Sequence, residues 1–501
     1  MDYPIWRLGF PGGLLIAVVA VLHVFVSHFA VGGGAYLVLT ERKAYRENDE
    51  TLLAYVRRYS KFFALLTVVF GAVSGVGIWF AIGLVSPDAT SSLIHSFVWG
   101  WAIEWVFFFV EIAAALIYAY NWDKLDRATH LAIGWIYFVA AWASLAIING
   151  IITYMLTPGR WLETKLFWDG FFNPTYWPSL IMRTAFCAAL AGLWGLVTAS
   201  KLESPSREKV SRWAGSWLVI GLGCLPPTAW WYFGKFPTFA RDYFAGLIPT
   251  AEHTIRLGLV SVAVAMVLAL VFAIAKPRWM NRGVLAVLVL ACFAALASGE
   301  YLREFSRKPY AISGYIYANG IRVEQVQAIA ANGGMGAHSK WLTVTPAPTA
   351  EYGHEVFVVQ CASCHSVDGY RSIRSRVRGW DEKFAAAIVP HLSLTRGTMP
   401  EFAGNATDAE ALAKYLATLA PALPVNNPND EMGTGRAVFN ARCALCHTVR
   451  GQRRPLDFGG ADFETVDTLV QSLDNLNPDM PPFTGTEAER HALVNWLRAQ
   501  K

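Results

Sequence analysis

From Pro11 to about Glu300 long apolar runs alternate with short polar loops, and after Lys308 the alternation stops. Eight runs reach the roughly 20 residues that a bilayer-spanning helix needs. They lie near 13–40, 59–85, 96–120, 130–156, 176–199, 212–233, 254–275 and 281–299. The leader MDYPIW has no basic n-region and no small-residue cleavage site follows it, so the first run is expected to stay in place as a span. Loops after spans one, three, five and seven hold fifteen Lys and Arg; the N-terminus and the loops after spans two, four and six hold five. That bias puts the N-terminus outside, and an even number of spans puts everything beyond Glu300 outside as well.

Composition agrees with a membrane chain. Of 501 residues, 54% are hydrophobic and 16% charged, against about 25% charged in soluble proteins. A disordered or nucleic-acid-binding chain is excluded, and the net charge of +5 matters less than its placement in alternate loops. The Trp residues at span ends (Trp99, Trp101, Trp105, Trp161, Trp230, Trp231) read as interfacial belts. Cys187, Cys224 and Cys292 fall in spans and read as small packing residues. The glycines of AVGGGAYL (30–37) suit close helix approach.

Beyond an amphipathic stretch at 310–347, read as an exported linker, the chain repeats itself. GHEVFVVQCASCH (Gly353 to His365) is matched by GRAVFNARCALCH (Gly435 to His447). A Met-Pro follows each, at Met399 and Met480, and an aromatic stands sixteen residues further on, at Tyr415 and Trp496. C-x-x-C-H is the attachment pattern of a c-type haem: two thiols one turn apart add to the vinyl groups and the next imidazole reaches the iron. A thioether from a later loop supplies the other axial position and raises the potential. Cys361, Cys364, His365 and Met399 are therefore expected to hold one haem, and Cys443, Cys446, His447 and Met480 a second. A zinc knuckle or thioredoxin-like pair is the competing reading, but neither extra Cys/His spacing nor a βαβ pattern is present. These units resemble class I cytochrome c domains. The domain boundaries expected are 1–309, 310–347, 348–424 and 429–501, and the fold is all-α: a polytopic membrane helix bundle of eight spans with the N-terminus outside, followed by two small α-helical cytochrome c domains.

Ionisable residues inside spans are costly and point to function. His23 and His28 in span one face different ways. Glu104 and Glu111, seven apart in span three, return to one face and suit a proton relay, or a pair of protonated carboxyls hydrogen-bonded between helices. The outer ends of spans seven and eight carry Glu252, His253 and Arg256, and Glu304, Arg307 and Pro309; a solvated helix end is the alternative there.

At these residues a family becomes visible. His23 with Gly32, I-E-x6-E (Glu104, Glu111), N-W-D-K-L followed by His130, and G-x4-E-x2-R-x-P (Gly299, Glu304, Arg307, Pro309) together resemble subunit I of cytochrome bd-type terminal oxidases across residues 1–310. The resemblance implies His23 as axial ligand of one high-spin haem and Glu304 as ligand of its neighbour, with Arg307 near the propionates. It implies Glu104 and Glu111 in the proton route and haem pocket, and Arg256 as the family arginine at the start of span seven. Two departures stand out. The family's low-spin haem b uses a His in span five and a Met in span seven, where this chain reads SLIMRTAF and HTIRLGLV; Met182, His253 and His28 remain as candidate ligands. The long quinol loop between spans six and seven shrinks to about twenty residues, and the haem c units stand in place of a ninth helix.

The resemblance and the tail together imply a respiratory electron-transfer subunit. Electrons would pass from a soluble cytochrome c or other periplasmic donor through two covalent haems c to two or three non-covalent haems, of b and/or d type, that reduce O2. The expected setting is the bacterial inner membrane, multi-pass, with the haem c domains on the periplasmic face, a second membrane subunit resembling bd subunit II, and no nucleic acid. A conduit between quinol or another subunit and periplasmic carriers, without O2 reduction, is the alternative, and a non-redox scaffold a third. Haem b versus d, nitric oxide versus O2, and proton coupling stay open.

Overall fold

The computed structural model describes residues 8–242, 244, 249–395, 398–423, 430–449, 454–458 and 460–500. The leader with Arg7, part of the loop between spans six and seven, and the boundary expected at 424–429 lie outside them. The chain forms two compact units. One holds Ile16–Ile82 and Thr90–Arg307; the other holds Lys308 onward, joined by Gly83–Ala89 and the described residues up to Leu15.

In the first unit every predicted span is a helix: α1 Gly12–Glu47, α2 Glu50–Val85, α3 Val98–Tyr120, α4 Arg127–Leu156, α5 Tyr176–Ala199, α6 Ser206–Gly234, α7 Ala251–Ala275 and α8 Arg282–Ser306. The starts are written in the loops. Asp49, Asp126 and Asn281 each accept a first-turn backbone N–H, the capping that leaves no donor stranded at a helix entry. Seven of these helices are long and apolar enough to cross a bilayer among the described residues. Helix α6 is long enough at 29 residues, but Trp, Gly and the pair Pro226–Pro227 take the place of aliphatic side chains. It packs tightly on α5: a Cβ at Gly192 would sit 2.5 Å from the Ala214 carbonyl oxygen. The outward faces carry Val73, Val76, Phe80, Phe109, Leu259 and Leu290, as a lipid solvent allows. The core gathers Phe29, Tyr36, Tyr59, Leu190, Leu193 and Leu218. Cys187 and Cys292 are buried there, as their reading as packing residues requires, whereas Cys224 is exposed.

The second unit carries the repeat. Helices α9 Ala350–Gln360 and α10 Ala406–Leu419 frame the first copy; α11 Glu431–Val438 and α12 Glu487–Arg498 frame the second. Each pair crosses at the glycine that opens its repeat. A Cβ on Gly353 would lie 1.9 Å from the Ala411 oxygen, and one on Gly435 2.1 Å from the Ala492 oxygen, so only glycine permits either crossing. The repeated aromatics meet on the same helices, Phe357 with Tyr415 and Phe439 with Trp496.

Residues 310–347 are folded, which corrects their reading as a linker. Tyr310–Ile312 and Ile316–Tyr317 pair as a short antiparallel hairpin. Tyr317, Ile321, Val326, Ile329 and Met335 share a core with Val359 and Ala403 of the first cytochrome c domain. Their apolar positions follow neither period 2 nor 3.6, so no regular element announces them. Asp408, fully buried, fastens the segment: its carboxylate accepts from the Met335 N–H (2.8 Å), the Asn405 N–H (2.9 Å) and the Tyr352 hydroxyl (2.6 Å). Replacing Asp408 with Ala strands three donors and is expected to destabilise this domain by about 3 kcal/mol. Thermal unfolding followed at the haem c band checks this; an unchanged midpoint removes Asp408 from the role.

Candidate functional site

Both C-x-x-C-H turns have the same local geometry. Helix α9 ends at Cys361, and the His365 N–H bonds the Cys361 carbonyl at 2.9 Å; His447 N–H to Cys443 repeats it at 2.9 Å. In each copy the imidazole Nδ1–H donates to a backbone carbonyl, His365 to Arg371 (3.2 Å) and His447 to Arg454 (3.0 Å). That bond fixes the tautomer and leaves Nε2 with its lone pair, the second-shell arrangement an iron ligand requires. Burial lowers His365 to about 4, with Arg376 adding to the effect, so its imidazole is neutral at physiological pH. Burial likewise pushes the Cys361 and Cys443 thiols up to about 12. All four cysteines are free of disulfides. A cavity of about 310 Å³ opens beside His365, walled by Phe357, Val358, Ala362 and Val367 among others. Free thiols, a presented Nε2 and an apolar recess fit a covalent haem. Among the described residues no group of three His, Cys, Asp or Glu gathers around a metal position, which disfavours zinc. Met399 and Met480 both stand outside regular structure in the stretches before α10 and α12.

The two copies touch where Gly379 and Trp380 of the first meet Ala441 and Arg442, just before the haem turn of the second. The Trp380 indole N–H donates to the Ala441 carbonyl (3.1 Å), and the Arg442 guanidinium, next to Cys443, donates to the Gly379 carbonyl (2.9 Å).

In the membrane unit His23 lies on α1 with Nδ1 3.1 Å from Ser74 Oγ. Helix α2 loosens into a π-helical stretch at Leu65–Gly71 just before Ser74, a distortion frequent at functional sites. Glu304 pairs with Arg307 on α8, where the Arg307 Nε–H donates at 2.8 Å. Arg256 pairs with Glu252 on an exposed face of α7 and is not gathered with the other site residues. His253 is exposed on the same helix.

Glu104 and Glu111 do share a face, and each has a partner on α4. Ser144 donates to Glu104 (2.9 Å), and Tyr137 to Glu111 (3.0 Å), its oxygen also 3.1 Å from the Ala30 carbonyl. A third rung follows at Tyr118, which donates to Glu41 (2.5 Å) beside His130. His130 Nδ1 lies 2.8 Å from Glu41 and Nε2 3.0 Å from the Tyr118 carbonyl, so each nitrogen has a partner. The partners Tyr137, Ser144, Glu41 and Ser74 were missed by sequence reasoning. One signal was present: Glu104, Glu111 and Tyr118 step by seven, and so do His130, Tyr137 and Ser144. A cavity of about 20 Å³, room for one water, touches Glu111 and Tyr137. A further buried cluster joins His28, Arg183, Glu300 and Arg303.

The fold and these sites define a membrane haem protein with an attached pair of cytochrome c domains. The profile of the family "Cytochrome bd terminal oxidase subunit I" matches residues 14–224, and that of "Cytochrome C oxidase, cbb3-type, subunit III" matches 348–416 and 430–497. Among solved structures, the bd oxidase from Geobacillus thermodenitrificans is similar at 16% identity and TM-score 0.54, over 61% of this chain and 88% of that one. No curated protein matches the chain. The chain thus joins a membrane unit like bd oxidase subunit I to two cytochrome c domains.

Tyr137→Phe removes the one hydroxyl donor on Glu111 among the described residues and is expected to cost about 1 kcal/mol of stability. It should also shift the Glu111 carboxyl band in reduced-minus-oxidised infrared spectra, with Glu111→Gln used to assign that band. A band that stays in place dissociates Tyr137 from this carboxyl.

Proposed function

We propose that this protein is the catalytic subunit of a cytochrome c-fed, bd-like oxidase of the bacterial inner membrane, with its two haem c domains on the periplasmic face. The carrying observation is the union, in one chain, of a bd subunit I-like helical unit with two C-x-x-C-H turns whose imidazoles are held by Nδ1 and open at Nε2. Cys361, Cys364, Cys443 and Cys446 would tether two haems c, and His365 with Met399, and His447 with Met480, would hold their irons. His23 and Glu304 would hold the membrane haems, with Ser74 orienting the His23 ring and Arg307 neutralising charge at Glu304. Bound haem would supply one-electron carriage at the c sites and O2 reduction in the membrane unit.

The chain's own groups handle the protons. Glu104 and Glu111, with hydroxyls of Ser144 and Tyr137 on them, form a file along the seam of α3 and α4 that ends at Glu41 and His130. Orientation by the loop arginines and lysines places that last pair on the inner side, where protons are taken up. The short loop between α6 and α7 supports a protein donor over quinol. A second membrane subunit like bd subunit II completes the complex.

Full-length protein purified with that subunit is expected to consume O2 with a reduced small cytochrome c and to lose at least about 100-fold of that rate in Cys443→Ala/Cys446→Ala, since transfer needs the tethered cofactor. The reduced wild type should bind CO at a high-spin haem. Rapid quinol oxidation without activity from cytochrome c rejects the donor assignment, and haems that all ignore CO turn the reading to an electron conduit.

A further inference from the structure

The resemblance to bd-type oxidases places a low-spin haem b between a histidine of span five and a methionine of span seven, and the residues found there do not fit it. Arg183 stands on α5 in the stretch that should supply the histidine. It is 6% exposed, and its Nη2 donates to Glu300 on α8 at 3.0 Å. Arg303 donates to the other Glu300 oxygen at 2.8 Å. Arg183 Nη1 lies 3.4 Å from His28 Nε2 on α1. A guanidinium has no lone pair to offer iron.

The remaining ligand candidates are engaged or turned away. His28 donates its Nδ1–H to the Val24 carbonyl (2.9 Å), so its one lone pair is the Nε2 that faces Arg183. Met182 packs against Leu156, Tyr232 and Phe236. His253 is exposed. Gly258 on α7 has no side chain and so offers no thioether, and a Cβ there would already lie 3.2 Å from Ser298 Cβ of α8.

We infer that the membrane unit binds no low-spin haem: the buried cluster of Arg183, Glu300, Arg303 and His28 fills that position as an ion-pair lock across α1, α5 and α8. A lone buried charge is far costlier than a paired one, so each member depends on the others. Resting on the function proposed above, this leaves the membrane haems to receive electrons from the haems c with no b-type relay between them.

Acidified acetone extracts non-covalent haem from the purified full-length complex and leaves haem c on its cysteines. The expected ratio is at most two extractable haems to two covalent ones, and in the intact complex magnetic circular dichroism should find no low-spin, CO-unreactive haem beyond the two haems c. A further low-spin haem that ignores CO overturns the inference. Absence of any CO-binding haem would instead defeat the oxidase reading while leaving this one standing. The lock has its own test. Arg183→Gln should lower the melting temperature by about 10 °C, and Glu300→Gln, which strands both Arg183 and Arg303, should lower it further. Either variant as stable as wild type, or Glu300→Gln milder than Arg183→Gln, refutes the ion-pair lock.

Discussion

Inside a bilayer a polar side chain has no water to fall back on, and this constraint organises the membrane unit. Four acids in its helices each have a donor: the buried Glu41 has His130 and Tyr118, and the part-buried Glu104, Glu111 and Glu300 have Ser144, Tyr137 and two arginines. The pairing is not scattered. Three acids or hydroxyls on α3 and three polar groups on α4 recur every seventh residue, two turns each, so that two antiparallel helices present a single polar seam between otherwise apolar faces. Polar groups at any other spacing would meet lipid or the aliphatic core. The same economy explains the second cluster, where Arg183 is tolerable only because Glu300 reaches it from α8.

The second unit obeys a different rule. A small domain cannot bury enough surface to be robust alone, and here each cytochrome c copy is short. Three devices make up for it: the glycine crossings at Gly353 and Gly435, which bring helix backbones into contact; the covalent haem that the thiols are placed to take; and the segment 310–347, which lends the first copy five more buried apolar residues. Asp408 couples the last of these to the domain core through donors from three separate stretches of chain.

Much of this was legible in the sequence because it depends on composition or on fixed spacing. A span is recognised by length and apolarity, and a haem c turn by thiols and an imidazole at set intervals; both survive without knowledge of packing. Partner identities did not show, because they depend on helix rotation. Glu104 and Glu111 could be placed on one face of α3, but Ser144 and Tyr137 meet them only when α4 turns its own heptad toward that face. The stretch SLIMRTAF read as lacking the expected histidine, while Glu300 served only to mark the end of the apolar runs. The folded segment 310–347 escaped because irregular backbone leaves no period to count.

The two departures from the family pattern, a shortened loop and an arginine in place of a ligand, have one physical consequence when taken together. A quinol site and a low-spin haem form successive stations of a single entry route, so loss of one leaves the other without a task. On the function proposed above, electrons enter through tethered haems and the chain has no use for either. The volume vacated by a haem must still be filled, because a void among helices forfeits contact on every side. A guanidinium, a carboxylate and an imidazole occupy that space only as a bonded set. Arg183 therefore cannot stand alone: it depends on Glu300, on a helix more than a hundred residues away, through the 3.0 Å bond between them.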